Sequence, residues 1–243
     1  MNLRTLLVIT TLFIAGPTLA HEEEEEEVEA ASPLEGNIKL GFLSTTGNTE
    51  TTTMNSGFAA SYTLERWKHQ ASAAAIYSED DNITTAEAYE AAWTSGWDLT
   101  DRDYLFGRLN WRKDRFGGFN TQFSQTVGYG RKILTGEVHT LTADVGAGAR
   151  QSEDQLGVTT EEFIAAGNLA YKWQFSDTAE FNQTFVVEAG DENTFSESVS
   201  SVSTKLIGAF QLVASYTIRN NSDVPVGTEK TDTFTAISLQ YDF

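Results

Sequence analysis

The sequence predicts an all-β chain: a transmembrane, antiparallel up-and-down β-barrel of the outer-membrane type with about 12 strands. Three observations lead there. From residue 36 onward apolar and polar residues alternate with period two, which sends successive side chains to opposite faces of a strand. The connections between these runs are alternately short and longer, the asymmetry of periplasmic turns and external loops. The first 20 residues read as an export signal: Arg4, an apolar stretch from Leu6 to Ala15, then Gly16, Pro17 and the small-residue ending Thr18-Leu19-Ala20.

Composition narrows the alternatives. The chain has 243 residues, with 16 Lys plus Arg against 35 Asp plus Glu, a formal charge of -19. Nucleic acid is excluded as a partner, because phosphate backbones are bound by basic stripes. Absence of Cys removes disulfides, thiolate metal sites and thiol nucleophiles. Aromatics make up 12% of the chain and glycines number 19, yet no pattern of a soluble core stands out.

Taken in order, residues 1–20 form the expected signal peptide, with cleavage after Ala20. The apolar run is shorter than the roughly 20 residues a membrane-spanning helix needs. Residues 21–35, opening on His21 and the run Glu22 to Glu27, form an acidic tail that repels itself and stays disordered, on the periplasmic side. Residues 36–243 form the barrel domain; with 15 basic and 27 acidic side chains they are less acidic than the whole.

Strands are expected near 37–46, 50–64, 67–78, 85–98, 103–115, 121–134, 138–151, 161–174, 178–190, 196–206, 210–221 and 231–243. In the seventh, Leu141, Ala143, Val145, Ala147 and Ala149 share one face against Thr142, Asp144, Gly146, Gly148 and Arg150. In the eighth, Phe163, Ala165, Gly167, Leu169, Tyr171 and Trp173 do the same against a face that includes Asn168 and Lys172. Short turns are read at Glu65-Arg66, Leu99 to Asp101, Thr135-Gly136, Ser176-Asp177 and Ile207-Gly208. Longer loops are read at Glu79 to Asn82, Phe116 to Asn120, Ser152 to Thr160, Asp191 to Phe195 and Ser222 to Glu229. Trp67, Trp97, Trp173, Phe175 and Phe210 stand beside the short turns, and Tyr77, Trp111, Phe116 and Phe195 towards the loops, as two interfacial girdles. In the last strand Tyr241 and Phe243 lie on one alternating face, the pattern of an outer-membrane assembly signal.

Leu40-Gly41-Phe42 running into Thr46-Gly47-Asn48-Thr49, the segment Glu65-Arg66-Trp67-Lys68-His69, and the ending from Thr231-Asp232-Thr233 through Leu239, Tyr241 and Phe243 resemble one bacterial family. It is known as domain of unknown function 481, whose members are described as salt-induced outer-membrane proteins. The resemblance covers roughly 36–243 and implies location and fold. It brings no catalytic residues, and the acidic tail has no counterpart in it.

Function is expected in the lumen. Twelve strands fall between the roughly eight whose interior is just filled by side chains and the sixteen to eighteen that enclose a channel. Assigning the less apolar face inwards gives Lys39, Glu90, Arg108, Asn110, Arg112, Asp144, Arg150, Glu188 and Arg219. Hairpin registers set Glu90 near Arg112 or Arg108, and Arg108 opposite Gly128, whose missing side chain lets Arg108 reach Asp144. Glu90, Arg108, Arg112 and Asp144 are thus the candidate charge network. It either narrows a pore for ions or small solutes, or consists of paired fillers that close the barrel, since unpaired inward charges are costly.

Three function classes follow. The first is a narrow or gated pore, or an envelope stress barrel induced by salt as the family name implies. The second is a non-conducting structural barrel, and the third a surface hydrolase. Catalytic residues, metal ligands and cofactors are not assigned. His21 falls in the tail, and His69 and His139 fall beside short turns, away from the external rim where a lipase would need its base. Carboxylates such as Asp80, Asp81, Asp154 and Glu161 read as solvated loop charges that could collect calcium or magnesium. Gly47-Asn48 reads as a turn, with no phosphate-loop spacing after it. The expected partners are outer-membrane lipids, lipopolysaccharide and the barrel-assembly machinery.

Overall fold

The computed structural model describes residues 32–45 and 51–243. The segment read as an export signal, most of the acidic tail and the turn at Gly47-Asn48 lie outside the described residues. The rest is twelve strands: β1 (Leu34–Thr45), β2 (Thr51–Leu64), β3 (Trp67–Asp80), β4 (Ile83–Asp98), β5 (Asp103–Asp114) and β6 (Thr121–Thr135). They continue as β7 (His139–Glu153), β8 (Thr159–Ser176), β9 (Ala179–Gly190), β10 (Thr194–Ile207), β11 (Phe210–Asn221) and β12 (Thr231–Asp242). Each strand pairs with its sequence neighbours, and β12 pairs antiparallel with β1, so the sheet is a closed up-and-down barrel.

The period-two pattern sorts the side chains as a barrel wall requires. Outward stand Leu40, Phe42, Val127, Val145, Phe163 and Ile237, each more than 60% exposed. Inward stand polar and charged groups, among them Gln122, Ser124, Asp144, Arg150 and Glu188, all buried. The apolar core of a water-soluble domain is replaced by an apolar belt on the outside. Aromatic rings gather at the short-turn end of that belt: Trp67 meets Trp97 edge-on at 4.8 Å, Trp173 meets Phe175 at 5.5 Å, and Phe210 meets Tyr241 at 5.2 Å.

Three differences from the sequence reading have local causes. β1 begins at Leu34, because Leu34 and Glu35 pair with Tyr62 and Ser61 of β2; the last two residues assigned to the tail are therefore strand. The connection at Glu79 to Asn82 is a tight turn and not a long loop. β3 runs on to Asp80, and Asp81 and Asn82 both take positive φ (48° and 62°), as a two-residue hairpin turn demands. Phe195 is an interior residue, only 3% exposed, and does not belong to a girdle.

Closure is the shortest seam. β1 and β12 are in register over four pairs, from Asn37 opposite Asp242 to Leu40 opposite Leu239. Beyond it, the Gly36 and Phe243 backbones exchange two hydrogen bonds of 2.9 Å each. A Cβ on Gly36 would lie 2.5 Å from the Phe243 ring, so glycine is what lets that ring rest over β1. Tyr241 and Phe243 both remain about half exposed on the outer face.

Candidate functional site

All four residues of the expected network point into the lumen, but they do not form one cluster. Arg108 forks onto Asp144, with Nη2 to Oδ2 at 3.0 Å and Nη1 to Oδ1 at 3.3 Å. Asn168 donates a further bond to Asp144 Oδ2 at 3.1 Å, and Arg108 Nε donates to Thr94 at 3.3 Å. Arg108 is opposite Thr126 and not Gly128, which faces Phe106. Gly128 still matters. It sits between Thr126 and Gly130, the partner of Asp144, and a Cβ there would lie 2.7 Å from the Gly146 Cα and 2.8 Å from the Phe106 ring. The bare stretch of β6 is what the Arg108 guanidinium crosses.

Glu90 and Arg112 are directly opposite in the β4–β5 ladder, yet each pairs elsewhere. Arg112 Nη1 lies 3.1 Å from Glu188 Oε2 on β9. Its guanidinium stacks 4.0 Å above the Phe195 ring, which holds it towards β9 and β10 and away from Glu90. Glu90 instead pairs with Arg219 of β11, which also contacts Glu197 of β10 at 2.6 Å.

Glu188 is the hub of the charged wall. It accepts from Ser124 at 2.8 Å and Asn110 at 3.2 Å, and lies 3.7 Å from Arg150 Nη1. Arg150 is fully buried. Its other bonds go to Glu162, at 2.6 and 3.1 Å, and to the carbonyls of Glu188 and Asn193. The sequence reading named neither Glu162 nor Glu197. Parity carries the signal for Glu162, which lies an even number of residues before Asn168 and Lys172 on the face read as polar. Phe195 carried no such signal, because an aromatic residue at a strand end equally fits a girdle.

These charges divide the lumen. A cavity of about 900 Å³ runs in from the short-turn end, where Asn37, Lys172, Glu180 and Asp242 line it, and ends at Glu90, Arg112 and Glu197. On one side its wall is made of small residues, Ala59, Ser72, Ala74 and Ala92, which leave the space empty; on the other stand Arg108, Asn110 and Arg112. A second cavity of only about 30 Å³ lies beyond, and Glu90 and Arg112 line both. Those two side chains, with Arg219 behind them, form the partition between the cavities.

Above the partition the loops fold inward. Gly117 and Gly118 of the β5–β6 connection are buried and, with Phe119, line the small cavity. Gln155 Nε2, from the β7–β8 connection, donates to the carbonyls of Asp114 at 3.0 Å and Gly117 at 3.2 Å. Buried Asn193 donates to Asn221 at 2.8 Å and accepts from the Asp223 N–H at 3.1 Å, tying the β9–β10 turn to the β11–β12 connection. The two histidines of the described residues lie far from this end. His69 bonds to Ser95 at 2.9 Å and stacks on Trp67, while His139 bonds to Tyr171 at 2.9 Å and stacks on Trp173, both in the short-turn ring.

Comparison with known proteins matches the family model described as "Protein of unknown function, DUF481" over residues 38–243. Uncharacterized protein YdiY of Escherichia coli (strain K12) is 31% identical over 223 residues, 89% of this chain and 86% of that protein. Among solved structures, a NanC porin is similar at 9% identity and a TM-score of 0.48, covering 85% of this chain and 97% of its own. A KdgM porin is similar at 8% identity and a TM-score of 0.46, covering 86% and 99%. By the match to its model and by the relative of 31% identity, the chain belongs to the DUF481 family.

Proposed function

We propose that this protein is an outer-membrane barrel that forms a narrow pore for ions or small solutes, constricted at the partition of Glu90, Arg112 and Arg219. The observation that carries this reading is the cavity of about 900 Å³ inside the barrel, hollow along one wall and charged along the other. A barrel with only a structural task can fill twelve strands with bulky side chains; here Ala, Ser and Gly face the lumen from β2, β3 and β4 instead. The membrane assignment is supported by the exposed apolar belt and its short-turn ring of Trp and Tyr, which suit a lipid interface. In this orientation the short turns, β1's start and β12's end are periplasmic. Lipid covers the belt, and lipopolysaccharide meets the long-loop rim with its acidic residues.

The bonded partition and the tied loops favour a second reading, a sealed structural barrel, and one experiment separates the two. The refolded protein is incorporated in planar bilayers beside the variant R108A/R112A. Small discrete current steps from the parent and larger or differently ion-selective steps from the variant support the pore. Silence from both supports the sealed barrel.

A further inference from the structure

We infer that the constriction selects cations over anions. The inference rests on the pore reading above and names its permeant class. Lumenal positive charge is mostly neutralised where it stands. Arg108 is forked onto Asp144, and Arg112 and Arg150 are bonded to Glu188 and Glu162, all within the wall from β5 to β9. Nearer the short-turn mouth, Lys172 contacts Glu180 at 2.6 Å, so that pair also leaves no net charge.

The surroundings of Arg219 are different. The ladders set Glu197 opposite it on β10 and Asp232 opposite it on β12. Glu90 pairs with it across the lumen, and Asp114 lines the same small cavity. One guanidinium therefore faces four carboxylates. The other guanidinium at this level, Arg112, already belongs to Glu188; Lys113 also borders the small cavity, but it is exposed and alternates with Arg112 and Asp114 to the opposite face of β5, which leaves the carboxylates in excess. An ion moving between the two cavities has to pass beside this excess of negative charge. In a narrow, poorly hydrated passage like charges repel more strongly than in bulk water, and rings of Asp and Glu act as cation filters.

The test is the reversal potential in planar bilayers under a KCl gradient. Three proteins are compared: the refolded parent, the variant E197Q/D232N, and a variant whose β5–β6 connection is shortened within 116–120 to uncover the mouth. The parent and the shortened form are expected to pass K⁺ several-fold better than Cl⁻, and E197Q/D232N to fall towards equal permeability. Heat-modifiable migration checks that each variant is a folded barrel. Currents with equal or anion-favouring permeability in the parent and shortened forms would overturn the cation assignment while leaving the pore reading in place. No current from either form would overturn the pore reading, and the cation assignment with it.

Discussion

Arg112 on β5 and Glu188 on β9 meet at 3.1 Å although three strands separate them around the wall. The contact shows how this lumen is stabilised: a buried carboxylate reached by two guanidinium groups, a hydroxyl and an amide. Removing one partner of a buried ion pair leaves an uncompensated charge, at a cost of about 3–5 kcal/mol. Glu188→Ala strands Arg112, leaves Arg150 with Glu162 as its one carboxylate, and is expected to lower stability by that order. Combining it with Arg112→Ala should cost less than the two changes summed, because one stranded charge is removed. Urea unfolding of the three variants, followed by tryptophan fluorescence, measures the coupling; full additivity would contradict it.

The seam between β1 and β12 supplies a second expectation. Ser238 of β12 donates to Asn55 Oδ1 of β2 at 2.7 Å, passing over β1 at Gly41. A Cβ at position 41 would stand 2.5 Å from both terminal atoms of Asn55 and from the Ile237 carbonyl oxygen. Gly41→Leu therefore breaks the bridge at the barrel's shortest ladder. Overpacking of this kind costs about 1–3 kcal/mol. The temperature at which the folded band is lost in semi-native electrophoresis should drop, whereas Gly107→Ala, with open space around its Cβ, should leave it in place.

A third expectation concerns the solvent outside. Val127 lies at the middle of β6, 68% exposed, facing away from the lumen. Arginine at the midplane of a lipid-facing strand costs about 2–4 kcal/mol. Val127→Arg should destabilise the barrel by that amount in liposomes. Unchanged stability there would show that Val127 faces water, as in a soluble barrel.

The loop cap gives a fourth. Gln155 holds the β5–β6 connection through two backbone carbonyls, and Gly118 lies against Val224. Gln155→Ala removes both bonds without touching the strands. Its channels are expected to stay open for a larger fraction of recording time, with the same step size, since the partition below is intact. A changed step size would place the constriction in the loops instead.

Much of the wall was legible in the sequence because two different environments impose a period of two on every strand. The outward Val145, Phe163 and Leu169, and the inward Asp144 and Arg150, follow from parity alone. Register was less legible. A six-residue connection between β5 and β6 does not fix which residues face each other, so Arg108 fell opposite Thr126 and not Gly128. Arg108 with Asp144 apart, partners beyond the neighbouring strand were not legible. Glu90 and Arg219, or Arg112 and Glu188, come together through barrel curvature and through the stacking of Arg112 on Phe195, neither of which leaves a local pattern in the chain.

The measurement closest to the central claim is the single-channel current of the refolded protein beside Arg112→Ala, recorded in the same bilayers and salt. Loss of Arg112 removes one of the two side chains shared by the lumenal cavities and takes two hydrogen bonds from Glu188. The expected result is a small step from the parent and a distinctly larger one from the variant, both from folded barrels. Folded, inserted barrels that carry no current in either form would contradict a pore constricted at this partition.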